Sequence, residues 1–225
     1  MTDLVSGPLT GLDADALVLA VRGDDTAFAE AFGGPFQTAL GDARLSKQPA
    51  AVLRDGAGPR RLVVVVAEEG ADGWRVAAAR GVQAAQAVHA RRVVLALPDE
   101  ADAETAAALV EGARLGAYRF ERYRTAEAPP AVVLGLHSNA DADDAEAIAE
   151  AVAAADARAA ATSVARDLVN LSPDEKVPAL LASRMRELAE AAGLRVDVWG
   201  PDRIAAEAWA ACSASTAAAS TRRAS

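Results

Sequence analysis

The sequence predicts an α/β fold in which a mixed β-sheet is sandwiched by helices. Three observations carry this expectation. Short β-branched runs recur along the chain. Segments of helical period separate them. One run, "LVVVV" within Arg61–Ala67, is apolar at every position. A strand with two apolar faces is covered on both, and helices on either side of a sheet supply that cover. Strands alternating with helices give the same architecture.

The predicted strands are "ALVLAV" (Ala16–Val21), "AAVL" (Ala50–Leu53), "RLVVVVA" (Arg61–Ala67), "RVVLAL" (Arg92–Leu97), "AVVLGL" (Ala131–Leu136) and "RVDVW" (Arg195–Trp199). A first helix is expected from Asp72, a good N-cap, to about Ala90. A second is expected over 99–120, with acidic residues in its first turn as the helix dipole favours. From Asp141 to about Val169 the chain reads as one long Ala-rich helix. Its acids cluster at the amino end, and Arg158 and Arg166 lie nearer the carboxyl end. At full length it would run roughly 40 Å, a length that suits a linker between two domains. "NLSP" breaks it, with Pro173 past its end. A further helix from about Val177 to Ala192, stopped by Gly193, leads to the strand Arg195–Trp199. One helix and one strand are too little for a core, so this second α/β domain reads as incomplete.

The net charge of -9 makes the chain a poor non-specific binder of nucleic acid or of an anionic membrane. A single cysteine excludes an internal disulfide and any Cys-rich metal site. No N-terminal run joins a basic region to an apolar core, and no apolar stretch reaches the roughly 18 residues of a membrane span. The expected location is the cytoplasm. Lysine occurs only at Lys47 and Lys176 amid abundant Ala and Arg, the composition of a GC-rich gene.

Few residues suggest chemistry. His89 and His137 are the only histidines and show no metal-ligand spacing. His89 reads as a helix-end residue and His137 as the residue just after a strand. Cys212 has no activating neighbours. "FGGPF" (Phe32–Phe36) is a Gly-rich turn without the pattern of a phosphate loop. Asp141, Asp143 and Asp144 read as the capped start of a solvated helix rather than a metal site. Tyr118, Phe120 and Tyr123 sit at helical spacing, where core packing is the default. No catalytic, cofactor-binding or metal-binding residue is assigned.

Two stretches resemble the leucine (cytosol) aminopeptidase family. "EGARLGAYRFERYRT" (Glu111–Thr125) is similar to the family's Glu-Gly, an apolar turn, then Y-x-F-x-x-Y-K/R. "ARDLVNLSPDEKVPALLASRMRELAEAAGLRVDVWG" (Ala165–Gly200) resembles A-R-D-L-x-N-x-P, a helix, then G-L-x-V-x-V. "DEKVP" departs from the family's N-x-L-T-P. The resemblance implies a domain plan: residues 1–140 as a macro-domain-like α/β domain, 141–170 as a linker helix, and 171–207 as the start of a catalytic domain. It also implies, for the full-length enzyme, a hexamer and peptide substrates. Two divalent metals, zinc or manganese, would activate a water and polarise the scissile carbonyl. The metal-binding motifs, similar to G-K-G-I-T-F-D-S-G-G and N-T-D-A-E-G-R, do not occur in this sequence. The chain as written is therefore expected to be inactive. A macro-like fold raises ADP-ribose or nucleotide binding as an alternative, and a non-catalytic DNA-binding or assembly role as another.

The tail "AWAACSASTAAASTRRAS" (Ala208–Ser225) does not follow the family pattern G-M-G-G-L-L-G-V. Read one base earlier, the codons for Ala208 to Ser215 permit that pattern, and the codon at Ala210 becomes GGC, which encodes only Gly. Thr216–Ala219 then permit N-G-G-S, Arg222-Arg223 permit P-P, and Ala224-Ser225 permit R-L. A base lost after the codon for Glu207 accounts for the match, so residues 208–225 are expected to be a frameshifted tail. The competing reading is a natural Ala/Ser-rich disordered tail.

Overall fold

The computed structural model describes residues 1–23, 26–54, 57–98, 101–125 and 131–207. It divides into two compact units, Met1–Val169 and Asn170–Ser225.

The first unit holds a six-stranded sheet in the order β1-β6-β5-β2-β4-β3. The strands are β1 (Asp3–Val5), β2 (Ala16–Val21), β3 (Ala50–Leu53), β4 (Arg61–Val66), β5 (Arg92–Ala96) and β6 (Val133–His137). All pairings are parallel except β3 with β4. The sheet is mixed, as the sequence predicts. Strand β2 lies between β4 and β5 and is buried at every position, which explains its uninterrupted apolar run.

Helices cover both faces. They are α1 (Thr26–Phe32), α2 (Gly34–Ser46), α3 (Gly70–Ala87), α4 (Ala103–Ala117) and α5 (Ala142–Asn170). Alternation along β2 sorts the core into two layers. Ala16, Val18 and Ala20 join a cluster built with α3, α4 and α5, whereas Leu17, Leu19 and Val21 join one built with α1 and α2. Phe28, Phe32 and Phe36 fill the second layer, and the Phe28 and Phe36 rings meet edge to face at 6.1 Å.

Several details differ from expectation. Helix α3 begins two residues before Asp72. Its N-cap is Glu69, with no side-chain cap bond, so Asp72 lies in the first turn and binds Arg75 at 2.9 Å instead. Helix α4 ends at Ala117, so Tyr118, Phe120 and Tyr123 are not on a helix and not in the core. The Phe120 and Tyr123 rings pack on one another at 5.5 Å, and Tyr123 is 51% exposed. Helix α5 spans 29 residues, and all but the last, Asn170, are part of the first unit. Ile148, Val152, Ala155 and Ala159 enter the core at spacings of three and four.

The second unit contains a 3-10 turn (Pro173–Lys176), α6 (Pro178–Ala191) and α7 (Pro201–Ala206). None of its described residues is buried. Gly193 adopts φ +77 after α6, the left-handed stop that its sequence position suggests. The expected strand Arg195–Trp199 is not formed. Its alternating pattern is present, but a strand needs a paired neighbour to satisfy its backbone, and the described part of this unit has none. Asp197 instead accepts bonds from Trp199 Nε1 at 2.8 Å and Arg203 at 2.9 Å.

Candidate functional site

The residues that suggest chemistry in the sequence do not converge. His89 is exposed just after α3, in a left-handed conformation at φ 61. The "FGGPF" stretch joins α1 to α2: Gly33 has φ +55 and Pro35 opens α2, so it is a helix–helix corner. Asp141 caps α5, its side chain accepting from the Asp144 amide at 3.2 Å. Cys212 and the side chain of Asp143 lie outside the described residues. Among the described residues, no group of three or more His, Cys, Asp or Glu side chains could hold a metal. No described helix is long and apolar enough to cross a membrane.

His137 is the exception. It ends β6, is 2% exposed, and lines a cavity of about 610 Å3 at the carboxyl edge of β5 and β6. Open α/β sheets bind ligands outside this edge. The ring bonds the Gly7 carbonyl through Nε2 at 2.7 Å. A carbonyl only accepts, so Nε2 carries the hydrogen. Nδ1 is buried and has no hydrogen-bond partner among the described residues. Leu97, Pro98 and Phe28 supply apolar wall, and Asp102 and Asp144 supply carboxylates. Asp102 caps α4 through the Thr105 amide at 2.8 Å, and the hydrogen bonds from Thr105 hold its carboxyl below the usual aspartate range. The described lining contains no Lys or Arg.

A second cavity, of about 450 Å3, opens beside the amino end of β6 and the carboxyl end of α4. Its polar centre is Asp156 on α5. One carboxylate oxygen accepts from the Thr2 amide at 2.6 Å. The other accepts from the Thr2 hydroxyl at 2.9 Å and from Arg114 Nε at 2.6 Å. Burial pushes this carboxyl up, but the bonds from Arg114 and Thr2 outweigh it and hold it below the usual range. Arg114 and Glu121 are among the lining residues, and Arg114 Nη2 and Glu121 Oε1 are themselves buried with no hydrogen-bond partner among the described residues.

Sequence reasoning missed this cluster. Thr2 and Asp156 are 154 positions apart, and Arg114 and Asp156 are 42 apart. No local pattern links them. The only nearby signal was the motif at Glu111–Thr125, whose residues Arg114, Tyr118, Arg119 and Glu121 line the cavity.

Residues 53–127 match the family model for the N-terminal domain of the cytosol aminopeptidase family. A probable cytosol aminopeptidase of Leifsonia xyli subsp. xyli is 33% identical over 211 residues, covering 90% of this chain and 41% of that protein. A probable cytosol aminopeptidase of Roseiflexus castenholzii is 36% identical over 166 residues, covering 69% of this chain and 34% of that protein. The bottromycin maturation enzyme BotP superposes with a TM-score of 0.60 and 30% identity, over 85% of this chain and 40% of that one. A mutant of tomato leucine aminopeptidase gives a TM-score of 0.66 at 18% identity, over 85% of this chain and 42% of that one, and so shares the fold. The chain spans less than half the length of each of these relatives.

Proposed function

We propose that this chain, which belongs to the cytosol aminopeptidase family through its N-terminal domain, is the non-catalytic amino-terminal part of a leucyl aminopeptidase. The match of residues 53–127 to that domain carries the reading. Residues 1–140 are then the macro-like α/β domain, 141–170 the linker helix and 171–207 the opening of the catalytic domain. Residues 208–225 are read out of frame. Exposure of Leu180, Met185 and Leu194 in the second unit supports a segment whose packing partners lie elsewhere. The full-length enzyme would assemble as a hexamer in the cytoplasm and remove N-terminal residues from peptides. Its two divalent metals, zinc or manganese, would be held by residues outside this sequence.

The 225-residue chain, supplied with Mn2+ or Zn2+, should show no turnover of leucine p-nitroanilide above the metal blank. Insertion of one base after the codon for Glu207 in the genomic DNA should restore G-M-G-G-L-L-G-V and yield an active enzyme. Turnover by the unmodified chain would sink the reading, and so would a stop codon soon after the insertion.

The nucleotide-binding alternative meets the wrong chemistry. The carboxyl-edge cavity presents two carboxylates and no Lys or Arg among its described lining residues. The amino ends of α4 and α5 are already capped by Asp102 and Asp141. Calorimetry with ADP-ribose should therefore give no binding heat, and a saturable exotherm would reinstate the alternative. A DNA-binding role is opposed by the net charge of -9.

A further inference from the structure

We propose that the amino edge of the sheet docks an acidic protein segment, whose carboxylates meet Arg60, Arg61 and Arg91. This edge is formed where β4, β2 and β5 start and where the antiparallel β3 ends. Arg61 on β4 pairs in register with Ala16 on β2, and Ala16 pairs with Val93 on β5. Two strand spacings therefore separate Arg61 from the start of β5, about 10 Å. The Val133 amide donates to the Arg91 carbonyl at 2.8 Å, which extends the ladder back to Arg91. Alternation puts Arg61 on the face of Val63 and Val65, and Arg91 on the face of Val93 and Leu95, which share one core layer. Asp15 lies between them. The Arg92 and Arg91 amides hold its carboxyl below the usual aspartate range, and the Arg61 and Arg91 charges act in the same direction. Arg60 precedes Arg61 and is exposed, as is Arg91.

These three charges are not spent within the chain. Arg92 is held by Asp13 at 2.8 Å. Arg54 turns back on its own hairpin and donates to the carbonyls of Ala57 and Pro59. Asp15 uses one oxygen on the Arg91 and Arg92 amides. The side chains of Arg60, Arg61 and Arg91 make no hydrogen bond or ion pair among the described residues. Three guanidinium groups thus stand open on one edge of a chain whose net charge is -9. The guanidinium fork matches a carboxylate in a bidentate pair. The surroundings limit the length of the partner. The strip is about as wide as the Debye length at physiological salt, so a short acidic segment senses mainly the arginines. A nucleic acid would run on past them over the acidic remainder of the surface and be repelled. Both ends of the strip are apolar. Leu53 lies opposite Arg61 and Val133 opposite Arg92, and they are 72% and 52% exposed. An acidic segment with apolar flanks fits this order.

The test is fluorescence anisotropy on the 225-residue chain with fluorescein-labelled hexaglutamate. A labelled oligothymidylate of about 20 nucleotides is the competing probe. Hexaglutamate should bind saturably with Kd below about 1 mM at about 50 mM NaCl, and at least about fivefold more weakly at about 300 mM. Arg60→Glu and Arg91→Glu should each weaken it by at least about tenfold, the loss of one charge-assisted contact. Both side chains are exposed and hold nothing in place, so the circular dichroism spectrum should not change. Arg80→Glu makes the same change of charge at an exposed position near the middle of α3 and should cost less than about twofold. The proposal falls if hexaglutamate shows no saturable binding at low salt. It also falls if Arg80→Glu weakens binding as much as Arg60→Glu and Arg91→Glu do, which would mean that net charge alone decides. Oligothymidylate binding as tightly as hexaglutamate would overturn it in favour of a nucleic-acid surface.

Discussion

Gly112→Val is expected to cost about 3 kcal/mol or more in urea unfolding, the upper range for forcing volume into a packed core. For a chain of this size that is a fall in Tm of roughly 6–12 °C. The cause is a backbone contact between α3 and α4. A Cβ on Gly112 would sit 2.1 Å from the Arg75 carbonyl oxygen and 2.6 Å from Arg75 Cα. One turn later, a Cβ on Gly116 would sit 2.6 Å from Ala79 Cα. Rotamer changes relieve neither clash, because the opposing atoms are backbone. The helices would have to separate, and α3 is itself held close to the sheet, since a Cβ on Gly81 would meet Val18 Cγ1 at 2.4 Å. Gly41, on the exposed side of α2, is the matched control. Nothing lies within 4 Å of its would-be Cβ, so Gly41→Ala should stabilise by about 0.5–1 kcal/mol through helix propensity alone. A Gly112→Val variant within experimental error of the wild type would show that α3 and α4 do not touch through their backbones. This contact also gives the Glu-Gly of the family motif a physical reading. Gly112 lets α4 approach α3, and the Glu111 carboxylate beside it reaches both Arg75 and Arg158 at 3.4 Å.

The central fold was legible because it is written in local patterns. β2, β4, β5 and β6 are apolar runs, and each forms within two residues of its expected bounds. The long helix from Asp141 is likewise local, since Ala propensity and charge asymmetry both report it. What was missed depends on distant partners or on an interrupted signal. β1 is three residues long and mostly exposed, and it is a strand only because β6 lies beside it. Helices α1 and α2 carry a helical spacing in Phe28, Phe32, Phe36 and Leu40, but Gly33-Gly34-Pro35 interrupts it and suggests a turn alone. The converse error, the strand at Arg195–Trp199, shows that alternation without a partner is insufficient. The polar cluster at Asp156 was out of reach for the same reason. Thr2, Arg114 and Asp156 are each unremarkable in their own segments, and only the packing of α5 on α4 brings them together.

That packing makes Asp156→Ala the second large effect, a loss of about 2–3 kcal/mol. Breaking a fully buried pair costs roughly 3–5 kcal/mol. The Asp156 and Arg114 side chains are 11% and 26% exposed, so the cost should sit at or below the low end. Three donors lose their acceptor at once: Arg114 Nε, the Thr2 amide and the Thr2 hydroxyl. The pH dependence separates this electrostatic loss from simple loss of packing. In the folded chain the Asp156 carboxyl is held below its usual value of about 3.9. Its contribution is therefore fully present above that pH and is lost as pH falls through the folded value. Asp15, held down by the Arg92 and Arg91 amides, and Asp102, held down by Thr105, act in the same direction. Wild-type stability should thus fall on acidification below about pH 5, and in Asp156→Asn the fall should be shallower but not absent. Urea unfolding from pH 6 to pH 2.5 reads the difference directly. Parallel wild-type and Asp156→Asn curves would mean that the carboxylate titrates alike in the folded and unfolded chains. The bonds to Thr2 and Arg114 would then not be what ties α5 to the amino terminus and to α4.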